Sequence, residues 1–249
     1  LLKVEGVSKS YRKNGWFGGE RNLVLRGVNL EWNSGESVGI IGESGSGKST
    51  LGRLLLGIEK PDKGSVTWSG RSVTDRHVRR GAISAVFQDY TSSIHPFFTV
   101  REAIREPLRF AGAGGGGNAD DEIVVQLLLQ VGLDESYLGK YPHELSGGEA
   151  QRVCIARAVS SGPPCILLDE AISSLDGSVQ MQVLELLKQL REAHGMGYIF
   201  ITHDIQAAAY LCDRLLIVRS GEIVEAIETS RLRHVQSEYA KELLRKVIS

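Results

Sequence analysis

Strand and helix signals alternate along the chain, which predicts an α/β fold with a mostly parallel sheet. Three stretches carry that expectation. Cys165–Leu168 and Tyr198–Thr202 are continuously apolar, the pattern of strands covered on both faces of a parallel sheet. Ser37–Ile41 is a third short apolar strand, running into a glycine-rich turn and then a helix over Ser49–Gly57. A length of 249 residues suits one large α/β domain or a core with a lobe inserted into it, and a hydrophobic content of 42% can bury a real core.

The other elements follow from local patterns. Leu2–Val7 and Leu23–Trp32 alternate apolar and polar residues, as strands with one solvated face do. Between them Lys13–Asn22, with Gly15, Gly18 and Gly19, reads as a long hairpin loop whose Trp16 and Phe17 are expected to pack at its tip. Ile83–Phe87 is another short strand. Asp120–Val131 places Ile123, Val124, Leu127, Leu128 and Val131 on one helical face, behind the mostly glycine connector Ala111–Asn118. Ser146–Ser160 reads as a helix stopped by Gly162-Pro163-Pro164, and Ser178–Ala193 as an amphipathic helix closed by Gly195. A last helix, Ser237–Val247, is expected to pack on the core. There is no internal repeat.

Composition excludes several function classes. The formal charge is −1, from 29 basic and 30 acidic residues closely interspersed, which gives no electrostatic case for nucleic acid. Cys154, Cys165 and Cys212 show no C-x-x-C spacing and read as small buried hydrophobes rather than a disulfide or metal framework. No apolar run approaches the ~18 to 20 residues that span a bilayer, and no secretory signal opens the chain at Leu1. Any transport role therefore borrows its membrane path from other subunits.

The chemistry begins at Gly42-Glu43-Ser44-Gly45-Ser46-Gly47-Lys48-Ser49, which fits G-x-x-x-x-G-K-[ST] at every fixed position, between a strand and a helix that also takes in Thr50. Glycines let backbone N–H groups curl around phosphate oxygens, and the helix start adds its positive dipole end. Lys48 supplies a point charge to the β- and γ-phosphates, and the Ser49 hydroxyl ligates Mg²⁺. Ile166–Leu168 then leads into Asp169-Glu170, which the strand delivers to the C-terminal edge of the sheet, where ligands of α/β folds collect. Asp169 is expected to hold Mg²⁺, and Glu170 to orient and deprotonate the attacking water. A kinase, a GTPase and many ATPases all remain compatible with these two motifs.

Leu145-Ser146-Gly147-Gly148-Glu149, followed by Ala150-Gln151-Arg152, narrows the field. It resembles the L-S-G-G-Q signature of ATP-binding-cassette (ABC) ATPases, with Glu149 in the last place. As chemistry, it is a second helix N-terminus offering the Ser146 hydroxyl and the Gly147 and Gly148 amides to an anion. It stands 98 residues after Lys48, too far to belong to the same phosphate loop. The resemblance implies that the distance is resolved by head-to-tail dimerisation, the signature of one subunit covering ATP held by the other.

The same resemblance, which spans residues 2 to 230, assigns further roles. Tyr11 corresponds to the aromatic that stacks on adenine, Gln88 to the glutamine contacting Mg²⁺ or the attacking water, Asp176 in Ser174-Leu175-Asp176 to a loop crossing the dimer interface, and His203 to the switch histidine at the γ-phosphate. It implies a RecA-like P-loop core, an N-terminal antiparallel β subdomain and an inserted α-helical lobe. Residues 1–89 then form the β subdomain and first part of the core, 90–160 the lobe with the signature, 161–230 the second part of the core, and 231–249 a helical tail.

One cassette of this length leaves no room for the coiled-coil insertion of DNA-repair ABC ATPases, and lacks the second cassette of ABC translation factors and the fused membrane domain of exporters. An importer subunit fits best. The stretch Ser92-Ser93-Ile94-His95-Pro96-Phe97-Phe98-Thr99-Val100 resembles the S-S-x-N-P-x-x-T-V segment of peptide/nickel importer ATPases, with His95 for the usual Asn. Tyr141–Glu144 and the ending Glu238–Leu244 echo the same group, while Ala171-Ile172 replaces its usual Pro-Thr. The resemblance favours nickel or metal–metallophore import, with peptide import as the alternative and a soluble non-transport ABC ATPase behind it. It implies a second ATPase subunit, identical or different, two transmembrane permeases, indirectly a solute-binding protein, no nucleic acid, and a peripheral place on the cytoplasmic face of the membrane.

Overall fold

The computed structural model describes residues 1–12, 21–89, 93–111 and 118–248. The expected loop tip with Trp16 and Phe17, the glycines at 114–117 and the start of the lobe at Tyr90 lie outside the described residues. In chain order the first elements are β1 (Leu2–Arg12), β2 (Arg21–Trp32), β3 (Ser37–Ile41), α1 (Lys48–Leu55), β4 (Lys63–Trp68), β5 (Arg71–Ser72), α2 (Arg76–Arg79) and β6 (Ile83–Phe87). Then come α3 (Val100–Ala111), α4 (Asn118–Gln130), α5 (Gly147–Val159), β7 (Cys165–Asp169) and α6 (Gly177–His194). The chain closes with β8 (Gly197–Thr202), α7 (Ile205–Leu211), β9 (Arg214–Arg219), β10 (Glu222–Glu228) and α8 (Glu238–Ile248).

The contacts divide into two units, one of Leu1–Arg79 with Tyr198–Ser249 and one of Arg80–Gly197. The first holds an antiparallel sheet in the order β2–β1–β4–β5. Leu2 faces Trp32 on one side and Trp68 on the other. The alternation seen in the sequence buries Leu2, Val4, Val7, Leu25, Val28, Leu30 and Trp32. The Trp32 and Trp68 rings stack with centroids 5.5 Å apart, and the Trp32 indole N–H donates to the Glu36 carbonyl at 2.7 Å, so the buried indole keeps a partner.

In the same unit β3 lies between β8 and β9, parallel to both, and β10 pairs antiparallel with β9. Every residue of β3 and β8 is buried, as their continuous apolar runs require. Ile41, the last residue of β3, sits opposite Thr202 and Ile217. This register brings the loop after β3 level with the ends of β8 and β9.

The second unit pairs β6 parallel to β7, from Ile83 opposite Cys165 to Phe87 opposite Asp169. Its helices bury Ile104, Leu108, Val124, Leu128 and Val153. The Arg105 guanidinium donates to Asp120 at 3.0 Å, and Arg157 pairs with Glu106 at 2.8 Å. Asp120 is 2% exposed, so its charge is paired rather than solvated. All three cysteines are buried and outside any disulfide, and burial pushes the Cys154 thiol up to about 12, which leaves it an inert hydrophobe. Among the described residues no helix is long and apolar enough to cross a membrane.

The turn from β9 to β10 is tied to the loop after β3. Gly221 has φ +84°, its N–H donates to the Ser46 carbonyl at 3.0 Å, and a Cβ there would stand 2.1 Å from the Val24 carbonyl oxygen. Gly221→Ala therefore combines left-handed strain with a backbone clash and is expected to cost about 2 kcal/mol or more. Thermal melting should show a drop of at least ~4 °C for a chain of this size; an unchanged melting temperature would contradict the packing described.

Candidate active site

The loop that follows β3 is shaped by what surrounds it. Gly42 has φ +157°, and a Cβ there would lie 2.2 Å from the Val218 carbonyl oxygen. Gly47 has φ +104°, and its Cβ would meet Leu25 Cδ2 at 2.8 Å and the Val24 oxygen at 3.0 Å. Neither position admits a side chain, so backbone fills the space. Gly45, at φ +79°, instead has nothing within 4 Å and sits on the exposed rim beside Ser44.

Lys48 opens α1 and is 5% exposed, its ammonium donating to the carbonyls of Gly42 at 2.7 Å and Glu43 at 3.0 Å. The N-cap of α1 is Gly47, which has no side chain with which to cap, and no acidic residue stands in the first turn. The positive end of this helix is therefore left to an external anion. Ser46 Oγ is buried and, among the described residues, without a hydrogen-bond partner. Ser49 is half-buried and Thr50 buried beside it.

Two more expected residues belong to this unit. His203 follows the buried Thr202 at the end of β8 and is exposed. Asp204 accepts from the N–H groups of Gln206 at 2.8 Å and Ala207 at 3.1 Å, capping α7 and fixing the turn that carries His203. Tyr11, near the end of β1, donates its hydroxyl to Glu59 at 2.6 Å. Burial pushes the Glu59 carboxyl up, but the Tyr11 hydrogen bond and the charges of Lys9 and Arg53 outweigh it and hold the group below its ordinary range. Arg53 Nε meets the same carboxylate at 3.0 Å from α1, so the tyrosine and the helix after the loop share one anchor. Sequence reasoning missed Glu59, and no local signal marks it.

In the second unit Gln88 stands exposed just after β6. β7 ends on Asp169, 9% exposed, and Glu170 follows in the left-handed region at φ +50°. The Glu170 carbonyl accepts from the Ser173 N–H at 3.2 Å and the Ser173 hydroxyl at 2.8 Å, closing a tight turn. Asp176 is the N-cap residue of α6.

The signature residues start α5. Ser146 is the N-cap, and Glu149 completes a capping box: Glu149 Oε2 accepts from the Ser146 N–H at 2.7 Å, while Ser146 Oγ faces the Glu149 N–H at 3.4 Å. The other carboxylate oxygen of Glu149 accepts from the Tyr137 hydroxyl, and the Lys140 ammonium lies 3.6 Å from the Tyr137 ring centroid. The Tyr137 hydrogen bond first, and then those from Ser146, hold the Glu149 carboxyl down at about 2. Gly148 packs on α6, where a Cβ would meet Val179 Cγ1 at 3.1 Å. Tyr137 is a second residue that sequence reasoning did not find.

The family described as ABC transporter matches residues 25–173, a span that includes the phosphate loop, the signature and Asp169-Glu170. The chain belongs to the ABC transporter family. Over 252 residues, and all of both chains, it is 52% identical to the metal-staphylopine import system ATP-binding protein CntF of Staphylococcus aureus (strain NCTC 8325 / PS 47). It is 39% identical to the nickel import ATP-binding protein NikE of Rhodospirillum rubrum, covering all of this chain and 91% of that one. Against NikE of Escherichia coli (strain K12) the identity is 40%, over 90% of this chain and 86% of that one. The dimeric post-hydrolysis structure of the ATP-binding cassette MJ0796 bound to ADP and Pi superimposes with a TM-score of 0.82 at 33% identity, covering 92% of this chain and 99% of that one. The α/β fold expected from the sequence is thus the ABC ATPase fold, and the chain is an ATPase of that family.

In this ABC ATPase the Glu149 carboxylate has a consequence measurable with pH. Its folded pKa, about 2, lies below the ordinary 4.5, so its stabilisation is fully present at neutral pH and drains as pH falls from about 4.5 toward 2. Glu149→Gln removes that contribution. The gap between the melting temperatures of the two proteins should be widest near about pH 6, narrow below about pH 4.5 and close only near about pH 2; a gap that does not change with pH would mean the carboxylate is not held as described.

Proposed function

We propose that this chain is the ATP-hydrolysing subunit of an importer that carries metal–metallophore complexes. The observation carrying the proposal is full-length 52% identity to a metal-staphylopine import subunit, above the 39–40% found with nickel import subunits. Ala171-Ile172 in place of the usual Pro-Thr points the same way.

In this reading ATP is the substrate, and the loop from Gly42 to Thr50 holds its phosphates. Backbone N–H groups of Ser44, Gly45, Ser46 and Gly47 and the uncapped start of α1 bind phosphate oxygens, and Lys48 places its ammonium on the β- and γ-phosphates. Tyr11 offers its ring to adenine. The oxygen donors Ser49, Gln88 and Asp169 are the hard ligand set that suits Mg²⁺. Bound Mg²⁺ supplies charge neutralisation on the phosphate oxygens. Glu170 takes the proton from the attacking water, Gln88 orients that water, and His203 donates to the γ-phosphate as charge moves toward the leaving group. A second ATPase subunit, docked head to tail, brings its own Ser146, Gly147 and Gly148 or their equivalents to the same phosphate, with Asp176 at the interface.

The helical lobe gives this reading a place for the permeases. A cleft of about 870 Å³ is lined by Phe98, Arg101, Arg105, Phe110 and Leu138, and Phe110 is 64% exposed. Apolar rings rimmed by charges of both signs, the arginines together with Glu102 and Glu106, suit a short amphipathic permease helix. Mg²⁺, the two permeases and a peripheral station on the cytoplasmic membrane face belong to this proposal.

Two variants separate binding from chemistry. Glu170→Gln should lower kcat about 100-fold or more while leaving MgATP affinity near the parent value, whereas Lys48→Ala should remove nucleotide binding itself. Normal turnover by Glu170→Gln would end the assignment of the base. For the cargo, a host lacking this gene should fail to accumulate nickel or cobalt supplied with an opine-type metallophore. The parent gene should restore accumulation, and the Glu170→Gln gene should not. Uptake that is normal in the deleted host, or lost only for peptides, would overturn the metallophore reading and leave the ATPase standing.

A further inference from the structure

One long-range contact ties the C-terminal helix to the phosphate loop. The backbone N–H of Glu43 donates to the phenol oxygen of Tyr239 on α8, at 3.1 Å and across 196 residues of chain. Tyr239 is 5% exposed, and the Arg219 guanidinium at the end of β9 lies 4.7 Å from its ring centroid. The helix is not free to slide. Glu225 on β10 accepts from the N–H groups of Gln236 at 2.8 Å and Ser237 at 2.9 Å, and Ser237 Oγ accepts from the Ala240 N–H at 3.2 Å. The strand preceding α8 in the chain thus sets where Tyr239 stands.

The Glu43 N–H belongs to the same peptide unit as the Gly42 carbonyl. A trans peptide is planar, so these two groups point in opposite directions from one rigid plate. The Gly42 oxygen accepts from the Lys48 ammonium at 2.7 Å. One plate is therefore gripped on both edges, by Tyr239 at its N–H and by Lys48 at its carbonyl. Turning it away from Tyr239 swings the carbonyl off Lys48, and each bond polarises the amide in the sense that strengthens the other.

We propose that Tyr239 is a positioning residue for the ATP site: its phenol oxygen fixes the Gly42–Glu43 peptide, and through that peptide the ammonium of Lys48. The C-terminal helix is then a working part of nucleotide binding as well as a packed tail. This inference rests on the reading of Lys48 as the phosphate-binding lysine.

Equilibrium titration of the full chain with MgATP, run well below the melting temperature, tests it alongside melting of the nucleotide-free protein. Tyr239→Phe keeps the ring and its packing and removes only the acceptor oxygen. It should raise the Kd for MgATP about three- to tenfold, the range for one hydrogen bond. Tyr239→Ala should weaken binding to a similar degree while also lowering the melting temperature. A Tyr239→Phe protein that binds MgATP like its parent overturns the inference, as does a loss confined to Tyr239→Ala, which reports packing alone. Failure of the parent itself to bind MgATP would instead bring down the ATPase reading, and this inference with it.

Discussion

Lys48 is withdrawn almost wholly from water, and a buried ammonium has to be met by oxygen. The oxygens come from the backbone just upstream, Gly42 and Glu43, and both must turn toward one atom. A chain with side chains at every position could not curl that tightly here, because the Cβ sites of Gly42 and Gly47 are already taken by Val218, Val24 and Leu25. Neighbouring elements then follow from the curl. β9 comes against the loop through the Val218 carbonyl and β2 through the Leu25 side chain and the Val24 carbonyl, and the Ser220-Gly221 turn reaches the Ser46 carbonyl because Gly221 can adopt a positive φ. The conformation that satisfies one buried charge also presents a ring of amides and an uncapped helix start.

The second helix start solves an opposite problem. α5 begins with two glycines, and its first-turn amides attract negative charge in the same way. Glu149 supplies such a charge from within the chain, yet it spends both oxygens on fixed donors, the Ser146 N–H and the Tyr137 hydroxyl. A carboxylate so engaged stays ionised and stiffens the turn around Ser146. Tyr137 arrives from the short 3₁₀ turn Glu135–Tyr137, and Lys140 over its ring adds positive charge near the Glu149 carboxylate.

How much of this was legible in the chain depends on the range of the interaction. The phosphate loop, the signature helix, β6, β7 and β8 follow from local pattern, because each buries a continuous run or starts at a recognisable cap. Observed bounds moved by a residue or two, as at α1, which starts on Lys48 and ends at Leu55. β4, β5, β9 and β10 went unread. β10 exposes every second residue, Glu222, Val224, Ala226 and Glu228 among them, and half-buries the rest, so no face is apolar enough to announce it. β9 did carry a signal in Leu215–Val218, short but continuous and followed by Ser220-Gly221. β1 runs on to Arg12 through register shifts near Gly6 and Val7 that break its alternation. The contacts Tyr11–Glu59 and Glu43–Tyr239, 48 and 196 residues apart, leave no periodic trace at all.

Glu170 shows how a departure from the family pattern can be absorbed structurally. A glutamate at φ +50° carries a cost of about 1 kcal/mol or more relative to an ordinary backbone conformation. Ser69 and Ser220 share the positive φ but sit beside glycines in hairpin turns, where the bend needs it. At Glu170 the bend is imposed from downstream: Ser173 closes on its carbonyl, Gln180 donates to the Ile172 carbonyl at 3.0 Å, and Ala171 and Ile172 are 1% and 2% exposed. Replacing the usual Pro-Thr with Ala-Ile exchanges a fixed φ and a hydroxyl for buried apolar surface, and burial of an isoleucine is worth about 2 kcal/mol. The turn is thereby held by packing rather than by ring geometry, and Glu170 keeps its left-handed backbone at the end of β7.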